Sequence, residues 1–251
     1  MSILDSIVLD KREEIPSLED YRRRYKIVSS NFKDIFSRGK IAFIAEVKPA
    51  SPVKGEFQGI DKLEGVIKDL TDAPISAISV LTDRHFNASI ENINLVRRYS
   101  GLPILRKDFI IDELQVYESS FYEVSAILLI ARILDRAKLK SLYDLSLSLG
   151  MEPVVEIYGL EDLEKVLAVD PGIILINNRD LDTFEVDISH TEKMMRYIPL
   201  GISIISASGI SKREDIEYLN SLGIDGVLIG EAIMKSDKPG EKIMEMMGLA
   251  D

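Results

Sequence analysis

Beyond residue 40 the chain alternates between two hydrophobic periods. Short β-branched runs occupy 41–47, 75–81, 102–106, 125–130, 152–157, 172–177, 201–206 and 225–229, eight in all. Between them lie longer stretches, among them KLEGVIKDL, AKLKSLYDLSLSLG, LEDLEKVLAV and KREDIEYLNSLG, in which apolar residues recur every three or four positions. The first period predicts strands and the second amphipathic helices. Gly150 and Gly223 stand where helix C-caps are expected. Regular strand–helix alternation implies parallel pairing, since each crossover helix covers a sheet face. Eight such units in about 250 residues predict a single α/β domain, a (β/α)8 TIM barrel. A doubly wound open sheet is the alternative, but SPVKG after the first strand is not the Gly-rich turn that fold favours. No linker or compositional break divides residues 1–251, and residues 1–40 read as a charged, helical N-terminal extension lying across the barrel.

Composition narrows the class of partner. At 46% hydrophobic residues the chain can bury a full core. A net charge of -11 argues against a nucleic-acid surface, which needs a basic stripe, although a small anionic ligand needs only a few local donors. With no cysteine there is no disulfide or thiolate zinc site, which fits a reducing, cytoplasmic compartment. The start, MSILDSIVLDKREEIP, lacks the basic and apolar regions of a signal peptide. No apolar run approaches the roughly 18 residues of a membrane span.

In such a barrel the working face is the carboxyl end of the strands. Here the strand ends are polar. The first ends in Glu46 and Lys48, which alternation places on one side, and the third in Lys107 and Asp108. The fifth ends in Glu156, the sixth in Asn177, Asn178 and Arg179, the seventh in Ser208 and Gly209, and the eighth in Gly230 and Glu231. A lone lysine or glutamate at a strand end is ordinarily a solvated surface group. Several converging on one mouth point to acid–base chemistry. ASGIS (207–211) and LIGEAIM (228–234) offer backbone N–H groups where barrels often bind phosphate, unless they are ordinary turns. Pro52, Phe86, Phe109 and Leu181 either line a pocket for a flat ring or belong to the core. His85 and His190 lie in unrelated contexts, so neither a histidine metal site nor a triad is expected.

The stretches IAEVKPASP, SVLTDRHFNAS, LPILRKDFIID with Gln115 after it, ILLIARIL, LGMEPVVEIY, INNRDLDTF and LIGEAIM resemble the indole-3-glycerol-phosphate synthase family, in the family's order across residues 41 to about 234. The resemblance implies a cofactor-free lyase of tryptophan biosynthesis. It would convert 1-(2-carboxyphenylamino)-1-deoxyribulose 5-phosphate to indole-3-glycerol phosphate, releasing carbon dioxide and water. By motif position it implies Lys107 as general acid, Glu156 as base in the dehydration, and Lys48 on the substrate carboxylate or hydroxyls. Glu46 and Asn177 would orient the lysines, with Arg179 supporting the same face. Ser51, Ser208, Gly209, Gly230 and Glu231 would meet the phosphate, and Pro52, Phe86, Phe109, Leu128 and Leu181 the anthranilate ring. The expected partner is that small phosphorylated substrate, with no nucleic acid, membrane or metal, and the chain is expected to be a monomer.

Three departures stand out. Ala207 occupies the position of a usual glutamate, Val53 that of a serine, and Ala88 that of a glycine. Without the carboxylate at 207, the lysines are expected to sit in a mouth with excess positive charge. Two other readings of the same barrel follow from these losses. One is a rebuilt pocket that abstracts a proton from carbon or performs retro-aldol cleavage. The other is a non-catalytic barrel that keeps the phosphate site.

Overall fold

A computed structural model describes residues 3–36, 40–51, 55–56, 60–181 and 183–249. Its strands are β1 (Ala42–Val47), β2 (Ala50–Ser51), β3 (Gly55–Glu56), β4 (Ala77–Leu81), β5 (Ile104–Lys107), β6 (Ala126–Ile130), β7 (Glu152–Ile157), β8 (Ile173–Asn177), β9 (Ser203–Ala207) and β10 (Gly226–Ile229). The helices are α1 (Ile3–Glu14), α2 (Tyr21–Arg24), α3 (Ile60–Asp72), α4 (Glu91–Arg97), α5 (Glu113–Phe121), α6 (Arg136–Ser148), α7 (Leu160–Leu167), α8 (His190–Met195), α9 (Arg213–Ser221), α10 (Glu231–Met234) and α11 (Pro239–Met246). Strands β1 and β4 to β10 close into a barrel in the order β1-β10-β9-β8-β7-β6-β5-β4, every pair parallel. The fold is the (β/α)8 barrel.

Both faces of the eight barrel strands are largely buried, which is why these strands read as continuous apolar runs. Phe43, Ala45, Val47, Ile78, Val80, Ile127 and Leu129 face the helices and join one large core with α3, α5 and α6. The alternate positions Ile44, Ala77, Leu105, Leu128, Val154, Leu175, Ile205 and Leu228 fill the barrel interior as a second cluster. Packing inside and out therefore rests on the period of two.

Strand boundaries shift where local chemistry forbids pairing. The third run begins at Ile104 rather than 102, because Pro103 has no N–H to give the ladder. The seventh begins at Ser203, after a turn in which Gly201 takes φ 94°, and continues through Ala207. Helix α5 is not marked by a strong apolar stripe. It is started by a capping box: Asp112 accepts from the Leu114 N–H, and the Gln115 side chain accepts from the Asp112 N–H. Gly150 ends α6 with φ 79°, and a Cβ there would lie 1.9 Å from the Val28 carbonyl oxygen.

The N-terminal extension touches both ends of the barrel. Helix α1 lies at the carboxyl mouth, where Ile3, Leu4 and Ile7 line a cavity. The chain then passes α5, where the Arg24 guanidinium lies 4.4 Å from the centre of the Phe121 ring. At the opposite end the Ser30 hydroxyl donates to the Ser125 carbonyl, and Phe32 is buried with the barrel's interior cluster.

Candidate active site

The pleat decides which side chains meet at the mouth. Counting outward by twos from the interior cluster, the last inward positions are Glu46, Leu81, Lys107, Ile130, Glu156, Asn177 and Ala207. Lys48 and Gly230 follow just beyond β1 and β10. With Phe86, Phe109, Arg179, Leu181, Phe184, Ser208, Gly209 and Glu231 they enclose a cavity of about 170 Å³, roofed by α1.

Three cation–carboxylate pairs organise it. Lys107 Nζ lies 3.4 Å from Glu156 Oε2, and Glu156 Oε1 accepts from Asn177 Nδ2 at 3.0 Å. Asn177 is itself fixed, since its Oδ1 accepts from the Ser208 hydroxyl at 2.8 Å and the Arg179 N–H at 3.0 Å. Lys48 Nζ lies 4.0 Å from Glu46 Oε1 and 5.0 Å from the centre of the Phe86 ring. Arg179 Nη2 lies 3.7 Å from Glu231 Oε2, while its Nη1 donates to the Phe184 carbonyl.

The two lysines are tuned in opposite directions. Burial pushes the Lys48 pKa down; Glu46 opposes this, and the neighbouring Lys107 and Arg179 charges reinforce it, leaving the pKa lowered. Burial acts the same way on Lys107, but Glu156 and Glu46 outweigh it and the pKa is raised. Lys107 is therefore held as a firm ammonium, whereas Lys48 releases its proton more readily.

The turn after β9 is bent to serve this mouth. Ser208 and Gly209 both have positive φ, 72° and 81°. The left-handed region is strained for serine, and here the Ser208 hydroxyl bonds to Asn177. Gly230 is required by close approach: a Cβ would fall 2.5 Å from Glu46 Oε1 and 3.0 Å from Glu46 Cβ. Gly230→Ala is expected to displace the Glu46 carboxylate and destabilise the fold by about 1–3 kcal/mol, as overpacking does. Thermal melts and the Michaelis constant would show it, and unchanged values of both would refute the contact.

A family model described as indole-3-glycerol phosphate synthase matches residues 4–246. The chain belongs to the indole-3-glycerol phosphate synthase family. A protein of that name from Thermoanaerobacter sp. (strain X514) is 41% identical, covering 98% of this chain and 97% of its own. Another, from Petrotoga mobilis (strain DSM 10674 / SJ95), is 42% identical, covering 97% and 96%. Among solved structures, 3-hexulose-6-phosphate synthase from Salmonella typhimurium aligns with a TM-score of 0.63 at 14% identity, over 83% of this chain and 98% of that one. KGPDC from Streptococcus mutans aligns at 0.62 and 11% identity, over 83% and 96%. At such identities these two structures speak to the fold alone.

Within this synthase-family barrel, most of the residues singled out by sequence converge on the cavity: Glu46, Lys48, Phe86, Lys107, Phe109, Glu156, Asn177, Arg179, Leu181, Ser208, Gly209, Gly230 and Glu231. Leu128 is a correction. It is fully buried in the barrel interior, one pleat below the mouth, and Ile130 takes the cavity wall on the same strand. Ser51 pairs antiparallel with Gly55 in the β2–β3 ribbon, and Pro52 lies outside the described residues. Each of the three cations at the mouth has a carboxylate within 4.0 Å although Ala207 supplies none, but Glu231 is shared, since Lys235 Nζ lies 2.8 Å from its Oε1. Sequence reading missed Ile130 and Leu81, which counting by twos along β6 and β4 would have found. It also missed Ile3, Leu4 and Ile7, whose place at the mouth has no local signal. Among the described residues, no helix is long and apolar enough to cross a membrane, and no group of three or more His, Asp or Glu side chains could hold a metal ion.

Proposed function

We propose that this protein converts 1-(2-carboxyphenylamino)-1-deoxyribulose 5-phosphate to indole-3-glycerol phosphate, carbon dioxide and water. The observation that carries the reading is the Lys107–Glu156–Asn177 array facing the cavity of a chain in this family. Ring closure joins the aromatic carbon bearing the carboxylate to the ribulose carbonyl carbon, and charge develops on the carbonyl oxygen. Lys107, kept charged by Glu156, stabilises and protonates that oxygen. A preorganised donor of this kind contributes about 3 kcal/mol to the transition state. Loss of carbon dioxide returns its bonding electrons to the ring. The new hydroxyl then leaves as water, taking a proton from an acid, while Glu156 removes a proton from the adjacent ring carbon, the former ribulose C1, so that the indole double bond forms and nitrogen keeps its proton. Lys48, the more acidic lysine, lies at the same mouth and meets the substrate carboxylate or hydroxyls.

Two further parts of the site complete the proposal. The near-parallel rings of Phe86 and Phe109, with centroids 6.3 Å apart, and Leu181 form the apolar side that takes the anthranilate ring. Backbone N–H groups at Ser208, Gly209, Gly230 and Glu231 take the phosphate, with Arg179 offsetting the Glu231 carboxylate beside it. We place the enzyme in the cytoplasm as a monomer acting on a small molecule, a setting that fits its lack of cysteine.

Incubation with the anthranilate-ribulose phosphate is expected to produce indole fluorescence. Binding without turnover would favour a non-catalytic barrel, and neither binding nor turnover a rebuilt pocket. Inorganic phosphate at tens of millimolar is expected to raise the melting temperature by mass action, roughly following RT ln(1 + [L]/Kd). No shift, together with empty turns in crystals grown from sulfate, would contradict the phosphate assignment.

A further inference from the structure

Lysines on a helix at a protein's surface ordinarily keep their ammonium in water. Lys11 of α1 does not: it is 4% exposed. Its Nζ lies 2.9 Å from Asp108 Oδ1, 3.0 Å from Asp83 Oδ2 and 3.0 Å from Glu14 Oε2. Asp83 and Asp108 are themselves 0% and 2% exposed. Burial would push the Lys11 pKa down, but the two aspartates outweigh it and hold the ammonium charged. Burial likewise pushes Asp108 up, yet Arg106 and Lys11 carry it well below the usual carboxylate range. Lys11 and Asp108 thus form a buried ion pair.

Each partner belongs to a different wall of the cavity. Asp83 opens the loop that carries Phe86, and its Oδ1 accepts from the His85 N–H at 2.9 Å. Asp108 sits between Lys107 and Phe109, accepting from the Phe109 N–H at 2.8 Å and from the Thr82 hydroxyl at 2.6 Å. Helix α1 contributes Ile3, Leu4 and Ile7 to the roof. One ammonium therefore ties together the roof, the loop bearing one stacked ring and the segment bearing both the other ring and Lys107. Removing it would take away the one cation that Asp83 and Asp108 share, leaving Asp108 to Arg106 and Asp83 to the His85 ring, so the two segments and α1 would lose their common tie.

We propose that Lys11 is a positioning residue that sets the separation of Phe86 and Phe109 and holds α1 above them, thereby controlling capture of the substrate's aromatic ring. The proposal rests on the synthase reading for the identity of that ring. It goes beyond that reading by assigning ring capture to a side chain that does not touch the cavity.

The test uses the full chain with Lys11→Met and Lys11→Arg. Three quantities are measured: steady-state kinetics on the anthranilate-ribulose phosphate, binding of anthranilate by its own fluorescence, and binding of inorganic phosphate by thermal shift. Lys11→Met is expected to raise KM and the anthranilate Kd together by about tenfold or more, with kcat changed about threefold or less. Phosphate affinity should stay at the wild-type value, and Lys11→Arg should recover most of the loss. A folded Lys11→Met that loses only thermal stability, at wild-type KM and anthranilate affinity, would reduce Lys11 to a structural tether and overturn the proposal. Should that variant not fold, Asp83→Asn reads the same junction from its other side, and a KM and anthranilate Kd equal to wild type would overturn it equally. Wild-type protein that binds anthranilate without turnover would count against the synthase reading, while the anthranilate comparison would still decide the role of Lys11.

Discussion

Lys107→Ala is expected to leave the barrel intact and to lower kcat by about a hundredfold or more, the range in which proton transfer by a positioned group is lost. Lys107 ends β5 on the inward face, and Glu156 and Glu46 keep it charged against the cost of burial. Lys48 is no substitute, because its pKa is shifted the other way and it stands at the end of β1 beside Glu46. The alanine variant removes the ammonium without a new clash, so circular dichroism and gel filtration should match wild type. Retention of more than about a tenth of wild-type kcat, an effect of roughly 1.4 kcal/mol or less, would end the general-acid assignment.

Glu156→Gln should be nearly as severe, for two separable reasons. It removes the base proposed for the dehydration, a loss of about a hundredfold in turnover. It also removes the largest interaction that raises the Lys107 pKa. Without it, burial has less opposition and the pKa falls, so Lys107 loses its proton at lower pH. The alkaline limb of kcat/KM in the residual activity should therefore move toward lower pH than in wild type. The amide still meets Asn177, so the 3.0 Å contact at Glu156 Oε1 can persist through a turned amide and the geometry is preserved. A profile measured from pH 6 to 11 decides the matter. An unmoved alkaline limb would mean that Lys107 is not the group titrating there.

Much of the site is readable from parity alone. A strand of this barrel alternates between the helices and the interior, so Glu46, Lys107, Glu156 and Asn177, all ending apolar runs, had to share a side with Ile44, Leu105, Val154 and Leu175. Parity does not give depth. Leu128 and Ile130 have the same parity on β6, and only the stagger of closed strands shows that the first lies under the mouth and the second on it. Helix α5 shows the complementary gap: its apolar stripe is weak, but the Asp112–Gln115 capping box was present in the sequence and is a sufficient start signal.

The sequence by itself determined the barrel and the polar ring. Eight β-branched runs, each long enough for one buried strand and separated by helical periods, leave little choice but parallel closure. The tertiary structure decided the pairings. Glu231 stands between Arg179 and Lys235, and Lys11 joins Asp83 to Asp108 while its helix roofs the cavity. The reason is physical. Periodicity records the face on which a side chain stands, a property of the local backbone. An ion pair depends on the distance between elements far apart in the chain, and that distance exists only once the barrel has closed.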